Sequence, residues 1–169
     1  KDELSISLWV RRDGSGTGTP RILSNQDSRF FIFNQGNGLE VRHIRQNGFN
    51  LQSWNDGWVH IVITSKRNTD GNNDGKFNLY VDGVFTQDYS GWSDNYDNQL
   101  SDVLYVGNWG GDNGSDFFNG AIDDIRIYDR FLSDSEVKTI YDKESIASDP
   151  NIISIPTGSS SNILYVFAQ

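Results

Sequence analysis

One segment near the end of the chain constrains the fold more than any other. Residues 118–141 read FNGAIDDIRIYDRFLSDSEVKTIY. The alternation of apolar and polar residues over 121–128 predicts a β-strand. Ser133, followed three residues later by Glu136, forms a capping-box pattern, which predicts that a helix begins there. We therefore expect a strand that leads almost directly into one short helix near 134–142.

Three pieces of the sequence resemble the laminin G-like domains of the concanavalin A-like superfamily. The segment described above is similar to the closing segment of these domains. Residues 4–10 (LSISLWV) resemble an early strand, and residues 58–64 (WVHIVIT) with 77–83 (FNLYVDG) resemble a central hairpin. The resemblance covers roughly residues 4–145 and implies an all-β jelly-roll sandwich of two antiparallel sheets. It does not define a ligand, because this fold carries lectins, adhesion modules and glycan-cleaving enzymes alike.

The rest of the chain fits such a sandwich over residues 1–148. Its 17 glycines and 13% aromatic residues suit short strands joined by long turns, and we expect at least ten strands. Apolar residues alternate with polar ones over 4–11, which predicts a half-buried strand. Asp82-Gly83 predicts a tight hairpin turn. The two histidines, His43 and His60, lie within strands, so we interpret them as packed and hydrogen-bonded rather than as metal ligands or catalytic bases.

The tail over 149–169 combines linker and strand composition. Asp149-Pro150 and the run PTGSSS over 156–161 are typical of a linker, whereas Ile163–Phe167 is apolar throughout. We expect the tail to supply a strand that completes the sandwich. The alternative is that it begins a neighbouring module.

Charge and composition limit the classes of partner. The net charge of −9 disfavours nucleic acid and anionic membrane surfaces and leaves cations and neutral ligands as natural partners. The chain has no cysteine, so no disulfide bond stabilises it. Neither a signal peptide at Lys1 nor an apolar run of membrane-spanning length is present. We expect a module of a secreted or cell-surface multidomain protein, with neighbouring domains as partners.

A run of alternating oxygen-bearing side chains predicts a calcium site. Asp70, Asn72 and Asp74 are followed by a glycine, as in the first half of a calcium-binding loop, and a backbone carbonyl near Lys76 would contribute. The loop is not an EF-hand, because Val81 stands where that motif needs a glutamate. The alternative interpretation is a long polar hairpin turn.

Asp123 and Asp124 form a second-choice cation site. Adjacent strand residues face opposite sides, so we expect one of the two carboxylates to point inward and to need a partner. The same geometry argues against a catalytic role, because the paired acids of a glycoside hydrolase must face one cleft. Nothing else in the sequence indicates catalytic residues.

Aromatic residues in two polar loops predict a ligand site. A sugar ring presents an apolar face and a rim of hydroxyl groups, which exposed aromatic rings with nearby carboxylates and amides can bind. The candidate residues are Trp92, Tyr96, Trp109, Asn108, Asp112 and Asn113. The alternative is that these rings plug the ends of the sandwich.

The sequence thus favours a non-catalytic binding module that takes carbohydrate with the help of calcium. The alternative function is a structural or protein-adhesion module of a large surface protein without a sugar site. A glycan-cleaving enzyme is the third possibility.

Overall fold

The computed structural model of the protein describes residues 2–13, 20–25, 30–35, 38–43, 49–51, 57–66, 75–92, 104–108 and 117–147. Within these residues the chain forms ten β-strands and one α-helix. The strands are β1 (Glu3–Arg12), β2 (Arg21–Asn25), β3 (Phe30–Gln35), β4 (Gly38–His43), β5 (Phe49–Leu51), β6 (Trp58–Lys66), β7 (Gly75–Val81), β8 (Val84–Trp92), β9 (Leu104–Val106) and β10 (Gly120–Tyr128). The helix, α1, spans Asp134–Ala147.

The strands of the described part form two antiparallel sheets, which confirms the predicted fold class. Sheet I has the order β10-β1-β6-β7-β8, and sheet II has the order β5-β4-β3-β2-β9. The main core lies between them. Its fully buried residues are mostly aliphatic and include Ile6, Leu8, Val10, Leu23, Ile32, Val41, Ile61, Ile63 and Leu79. Burying side chains of this size contributes about 1.5–3 kcal/mol each, so this interface supplies most of the stability.

The strand β1 is buried on both faces, so the prediction that it is half-buried was wrong. Its apolar residues face the core between the sheets, as expected. Its other face carries Ser5, Ser7 and Trp9, and these are buried too. The reason is that α1 packs across the outer face of sheet I, which makes this side of the molecule three layers deep.

The predicted hairpin turn joins β7 to β8. Asp82 and Gly83 both have positive φ angles, of 50° and 73°, which is the geometry of a type I′ turn. The Asp82 amide donates to the carbonyl of His60 (2.9 Å), and the Asp82 carboxylate accepts from the His60 amide (3.0 Å). A side chain at Gly83 would collide with Tyr141 of α1, since a Cβ there would lie 2.8 Å from the Tyr141 Cβ. The turn is therefore fitted to the helix as well as to the strands.

The predicted capping box starts the helix. The Ser133 amide donates to Glu136 Oε2 (2.9 Å), and the Glu136 amide donates to Ser133 Oγ (3.4 Å). The Ser133 amide, and then its hydroxyl, hold the pKa of Glu136 below its usual value. Leu132 and Val137, at the positions of a hydrophobic staple, are both buried against sheet I.

The helix is longer than the sequence predicts. It continues to Ala147 rather than ending near residue 142. The added turn carries Glu144, which is only 6% exposed, and a buried carboxylate is retained only where partners satisfy it.

No helix among the described residues is long and apolar enough to cross a membrane.

Two predictions about the fold lie wholly or partly outside the described residues. The strand β4 contains the backbone of His43, but its side chain is not described. The tail over 149–169, with the predicted strand Ile163–Phe167, is not described either. Both stay predictions.

A polar layer joins α1 to sheet I. Its buried members are the side chains of Ser7, Trp9, His60 and Glu144, with the half-buried Tyr141 and the exposed Arg126 at its margin. The Trp9 indole N–H donates to Glu144 Oε2 (2.7 Å), and Arg126 forms an ion pair with the other carboxylate oxygen. The Tyr141 ring stacks on Trp9, with centroids 5.8 Å apart. The helix is thus held by directional contacts in addition to its apolar face.

His60 lies at the centre of the polar layer as a neutral imidazole. Its Nε2 is 2.8 Å from Ser7 Oγ and 3.5 Å from Glu144 Oε2, and the side chain is fully buried. Its Nδ1 has no hydrogen-bond partner among the described residues. Burial, and secondarily the charge of Arg126, lower the pKa of His60 from 6.5 to about 4. The prediction that His60 is a packed, hydrogen-bonded histidine is confirmed.

We expect the domain to lose stability in mild acid because of His60. Below pH 6.5 the unfolded chain binds a proton on the His60 side chain, whereas the folded protein binds it only at about pH 4, because its pKa is lower. Stability is therefore fully present above pH 6.5 and falls as the pH falls towards 4, by about 2–3 kcal/mol between pH 7 and pH 4.5. Urea unfolding of wild type and His60→Gln at both pH values measures this loss. The variant should lack the His60 part of the loss, however stable it is at pH 7; equal losses in the two proteins would contradict the prediction.

We also expect the two simplest substitutions of Glu144 to differ. Glu144→Ala leaves the buried Trp9 N–H without an acceptor, whereas Glu144→Gln keeps one. The unsatisfied donor should make the alanine variant about 1–3 kcal/mol less stable than the glutamine variant in urea unfolding. Asp142→Ala is the control, because its ion pair with Lys138 is exposed on both sides and contributes little. Equal losses for Glu144→Ala and Glu144→Gln would show that this hydrogen bond does not stabilise the helix.

Candidate functional site

The β6–β7 hairpin holds the predicted calcium loop. The predicted side-chain ligands Asp70, Asn72 and Asp74 lie outside the described residues. The strands that flank them are described, and Lys66 pairs with Lys76 where the hairpin opens. Lys76 is exposed and pairs with β8 on its other side. The backbone carbonyl near Lys76 that we predict to bind the metal therefore lies where the chain is held in the sheet on both sides.

The structure brings this loop next to the start of one aromatic loop. Trp92 is the last residue of β8, so the prediction that it lies in a loop was wrong. It pairs with Gly75, the residue that follows the predicted calcium ligands. Trp92, from which the chain continues towards Tyr96, therefore lies one strand spacing, about 5 Å, from the end of the predicted calcium loop. The side chain of Trp92 and all of Tyr96 are outside the described residues.

We name the two ends of the sandwich after the first and last residues of β1, Glu3 and Arg12. Glu3 pairs with Lys66, which in turn pairs with Lys76, so the calcium loop and Trp92 lie at the Glu3 end. The opposite end, where β1 finishes, is the Arg12 end. Ten residues of extended strand separate the two by about 30 Å.

Asn108 lies at the Arg12 end. Gly120, the first residue of β10, pairs with Arg12, and the Phe118 amide just before it donates to the carbonyl of Gly107 (2.9 Å). Asn108 is thus about the length of the sandwich away from Trp92. The structure does not bring these two predicted ligand residues together.

The backbone around Asn108 is fixed by sheet II. The Gly107 amide donates to the carbonyl of Ile22 (2.9 Å), and Gly107 has a positive φ of 76°, which only glycine adopts readily. The Ser24 hydroxyl donates to the carbonyl of Asn108 (3.2 Å). The loop that carries the predicted Trp109, Asp112 and Asn113 starts from this point, and those three residues are not described.

Asp123 and Asp124 are both exposed, so the expectation that one of them points inward was wrong. The cause is a β-bulge: the three residues Ser7–Trp9 of β1 face the four residues Asp123–Arg126 of β10, so β10 has one residue more. Asp124 takes a positive φ of 47°, and its amide donates to the Asp123 carboxylate (2.8 Å). The Arg126 guanidinium lies 3.6 Å from the Asp124 carboxylate.

The two carboxylates therefore already have a backbone amide and a guanidinium as partners, which weakens the case for a cation there. No group of three or more His, Asp or Glu side chains within the described ranges is arranged to hold a metal ion. A site at Asp123 and Asp124 would need oxygen ligands from elsewhere, and it stays a second-choice prediction.

The contact of Ser7 with His60 does not form a catalytic triad. In a triad the serine and the acid bind different imidazole nitrogens. Here Ser7 and Glu144 both lie on the Nε2 side of His60, at 2.8 and 3.5 Å, and the ring is fully buried under α1. A substrate has no access to it, so we interpret the group as packing.

Sequence reasoning missed Glu144 as a buried partner. The signal was present, because Val137, Ile140, Tyr141 and Glu144 follow the i, i+3, i+4, i+7 spacing of one helical face. An acidic residue on an apolar face indicates a polar partner on the opposing sheet, and that partner is the Trp9 indole.

With the fold and these residues placed, comparison with known proteins identifies the family. The laminin G model of the concanavalin A-like lectin/glucanase superfamily matches residues 1–138. The chain belongs to this superfamily. No curated protein matches the sequence.

Several solved structures resemble this laminin G-like domain in fold. A Trypanosoma rangeli sialidase is 17% identical with a TM-score of 0.67, over 87% of this chain and 24% of the enzyme. A proposed carbohydrate-binding protein from Bacteroides ovatus is 16% identical with a TM-score of 0.62, over 81% of this chain and 40% of that protein. The receptor-binding domain of botulinum neurotoxin type G is 16% identical with a TM-score of 0.59, over 85% and 38%. At these identities the likeness concerns the fold, and the domain spans well under half of each relative.

Proposed function

We propose that this domain is a non-catalytic carbohydrate-binding module of a secreted or cell-surface multidomain protein, and that calcium assists binding at the Glu3 end. One observation carries the proposal: the pairing of Gly75 with Trp92. It joins the end of the predicted calcium loop to the start of the loop that contains Tyr96. In this proposal, a calcium ion held by the first loop and an aromatic ring of the second would contact one ligand.

The chemistry of the two loops is complementary. Asp70 and Asp74 supply two charges and Asn72 a neutral oxygen, which suits calcium in the micromolar to millimolar range. A calcium ion bound there can take sugar hydroxyl groups as further oxygen ligands, while an aromatic ring packs against the apolar face of the sugar. The net charge of −9 favours a cation and a neutral glycan over an anionic one.

The comparisons support this class of function without defining a ligand. One relative in fold is described as a proposed carbohydrate-binding protein, and another is the receptor-binding domain of a toxin. The domain spans only 40% and 38% of these chains. A ligand or partner of either whole protein therefore extends to this domain only as a proposal. Neighbouring domains would set avidity and location.

We expect calcium to stabilise the domain through Asp74. An ion that binds only the folded state adds about 2.7 kcal/mol at a concentration a hundredfold above its Kd, which raises the Tm of a domain of this size by about 5–10 °C. Thermal unfolding in calcium and in chelator measures the shift. Asp74→Ala should abolish it, whereas Asp88→Ala, which removes an exposed carboxylate from β8, should keep it. If wild type melts at the same temperature in both buffers, the loop is only a long polar turn.

We expect carbohydrate binding to depend on Trp92 rather than on Trp109. A glycan array with and without chelator first identifies a ligand, and titration calorimetry then measures its Kd. Loss of a central aromatic contact costs at least about 2 kcal/mol, so Trp92→Ala should weaken binding about 30-fold. Trp109→Ala is the matched control, because its loop starts at the opposite end of the sandwich.

The outcomes of this experiment separate the candidate functions. Binding that is lost in Trp109→Ala and kept in Trp92→Ala would move the site to the Arg12 end. No binding to any glycan, together with a normal calcium response, would favour the structural or protein-adhesion module. Release of a cleaved product would replace both with an enzyme.

A further inference from the structure

The edge strand β10 carries an apolar residue that the sandwich leaves uncovered. Ile127 pairs directly with Ile6, so both side chains lie on the inner face of sheet I. Ile6 is 1% exposed, whereas Ile127 is 48% exposed. The other inner-facing residues of β10, Ile122 and Ile125, pack against the core. The gap is therefore local to the end of β10.

Sheet II shows the same feature on the same side of the molecule. Its edge strand β9 lies beside the start of β10, because the Phe118 amide donates to the carbonyl of Gly107. Val106 of β9 pairs with the buried Leu23 and is itself 48% exposed. The two neighbouring edges thus each leave one inward-facing apolar residue partly open.

Only part of β10 is open to a further strand. Among the described residues, β10 pairs with β1 alone. The bulge and the charges at Asp123 and Asp124 protect its first half, in the way that natural edge strands avoid unwanted pairing. Beyond the bulge, Arg126–Tyr128 keep a regular register with β1, and the segment Ile125–Tyr128 carries no acidic side chain. It includes Ile127.

The chain leaves the helix beside this edge. In the last turns of α1, Glu144 forms an ion pair with Arg126 of β10, so α1 ends over the same strand. Residues 148–162 then separate Ala147 from Ile163, and an extended stretch of that length reaches up to roughly 50 Å. The segment Ile163–Phe167 (ILYVF) is apolar at every position, which is typical of a strand buried on both faces.

We propose that Ile163–Phe167 adds a sixth strand to sheet I by pairing with Ile125–Tyr128 at the β10 edge and covering Ile127. Pairing satisfies backbone groups on the β10 edge and removes apolar surface from water on both strands. The proposal does not depend on the carbohydrate-binding function.

Engineered cysteines test the pairing in the full-length chain. The protein has no cysteine of its own, so any disulfide is the introduced one. Ile127→Cys is combined in turn with Leu164→Cys, Tyr165→Cys and Val166→Cys, because the register is unknown. At least one pair should form an intramolecular disulfide in high yield under mild oxidation. The matched control places the first cysteine at the exposed Val84 on the opposite edge strand β8, where none should form.

Hydrogen exchange provides an independent measurement. In a chain ending at residue 148, the amides of Ile125–Tyr128 that point away from β1 should exchange about tenfold faster or more than in the full chain, while the β8 amides stay unchanged. The Tm should also fall. The proposal is overturned if the Ile127 pairs give no intramolecular disulfide, or if Ile125–Tyr128 exchange equally in both chains. Disulfide-linked dimers alone would show that a second copy occupies the edge, and this too would overturn it.

Discussion

The outer face of sheet I carries buried polar side chains, and α1, with the segment that leads into it, supplies hydrogen-bond partners for Ser5 and Trp9. Glu144 accepts the Trp9 indole N–H and pairs with Arg126, and the Ser5 hydroxyl accepts the Leu132 amide (3.0 Å) where the chain enters the helix. An unpaired buried polar group costs about 1–3 kcal/mol. The position of the helix is therefore set by hydrogen bonds as well as by its apolar face. The length of α1, the burial of β1 and the neutral state of His60 all follow from this docking.

The docked helix also determines where a ligand can reach the domain. The start of α1 lies over Tyr80, whose hydroxyl donates to Asp134 (2.7 Å). The last turns of α1 lie over Trp9 and His60, so the helix covers the outer face of sheet I between these residues. Binding is then left to the ends of the sandwich, to sheet II and to the open edge. Loops at strand ends tolerate sequence change and often carry function because the scaffold beneath them is rigid. The predicted calcium loop and Trp92, the last residue of β8, share one such end.

The bulge at Asp123 and Asp124 gives β10 two different halves. Before the bulge, the edge carries acidic side chains and a backbone with positive φ, and such an edge resists further pairing. After it, the register with β1 is regular and Ile127 is exposed. A single inserted residue thus explains both why the two carboxylates share the solvent side and why only the end of the strand is open.

The sequence by itself determined the local structure. The capping box at Ser133, the Asp82-Gly83 turn and the alternating strands depend on neighbours within a few residues, so their patterns predict them directly. The tertiary structure alone decided which polar residues are buried, because that depends on what packs above them. The serines of β1 have the pattern of an exposed face and become buried only under a helix that lies about 130 residues later in the chain. In the same way, the register between β10 and β1 exposes both aspartates, and the order of the strands places Trp92 and Asn108 at opposite ends. Such pairings join residues far apart in the chain, and no local pattern of residues encodes them.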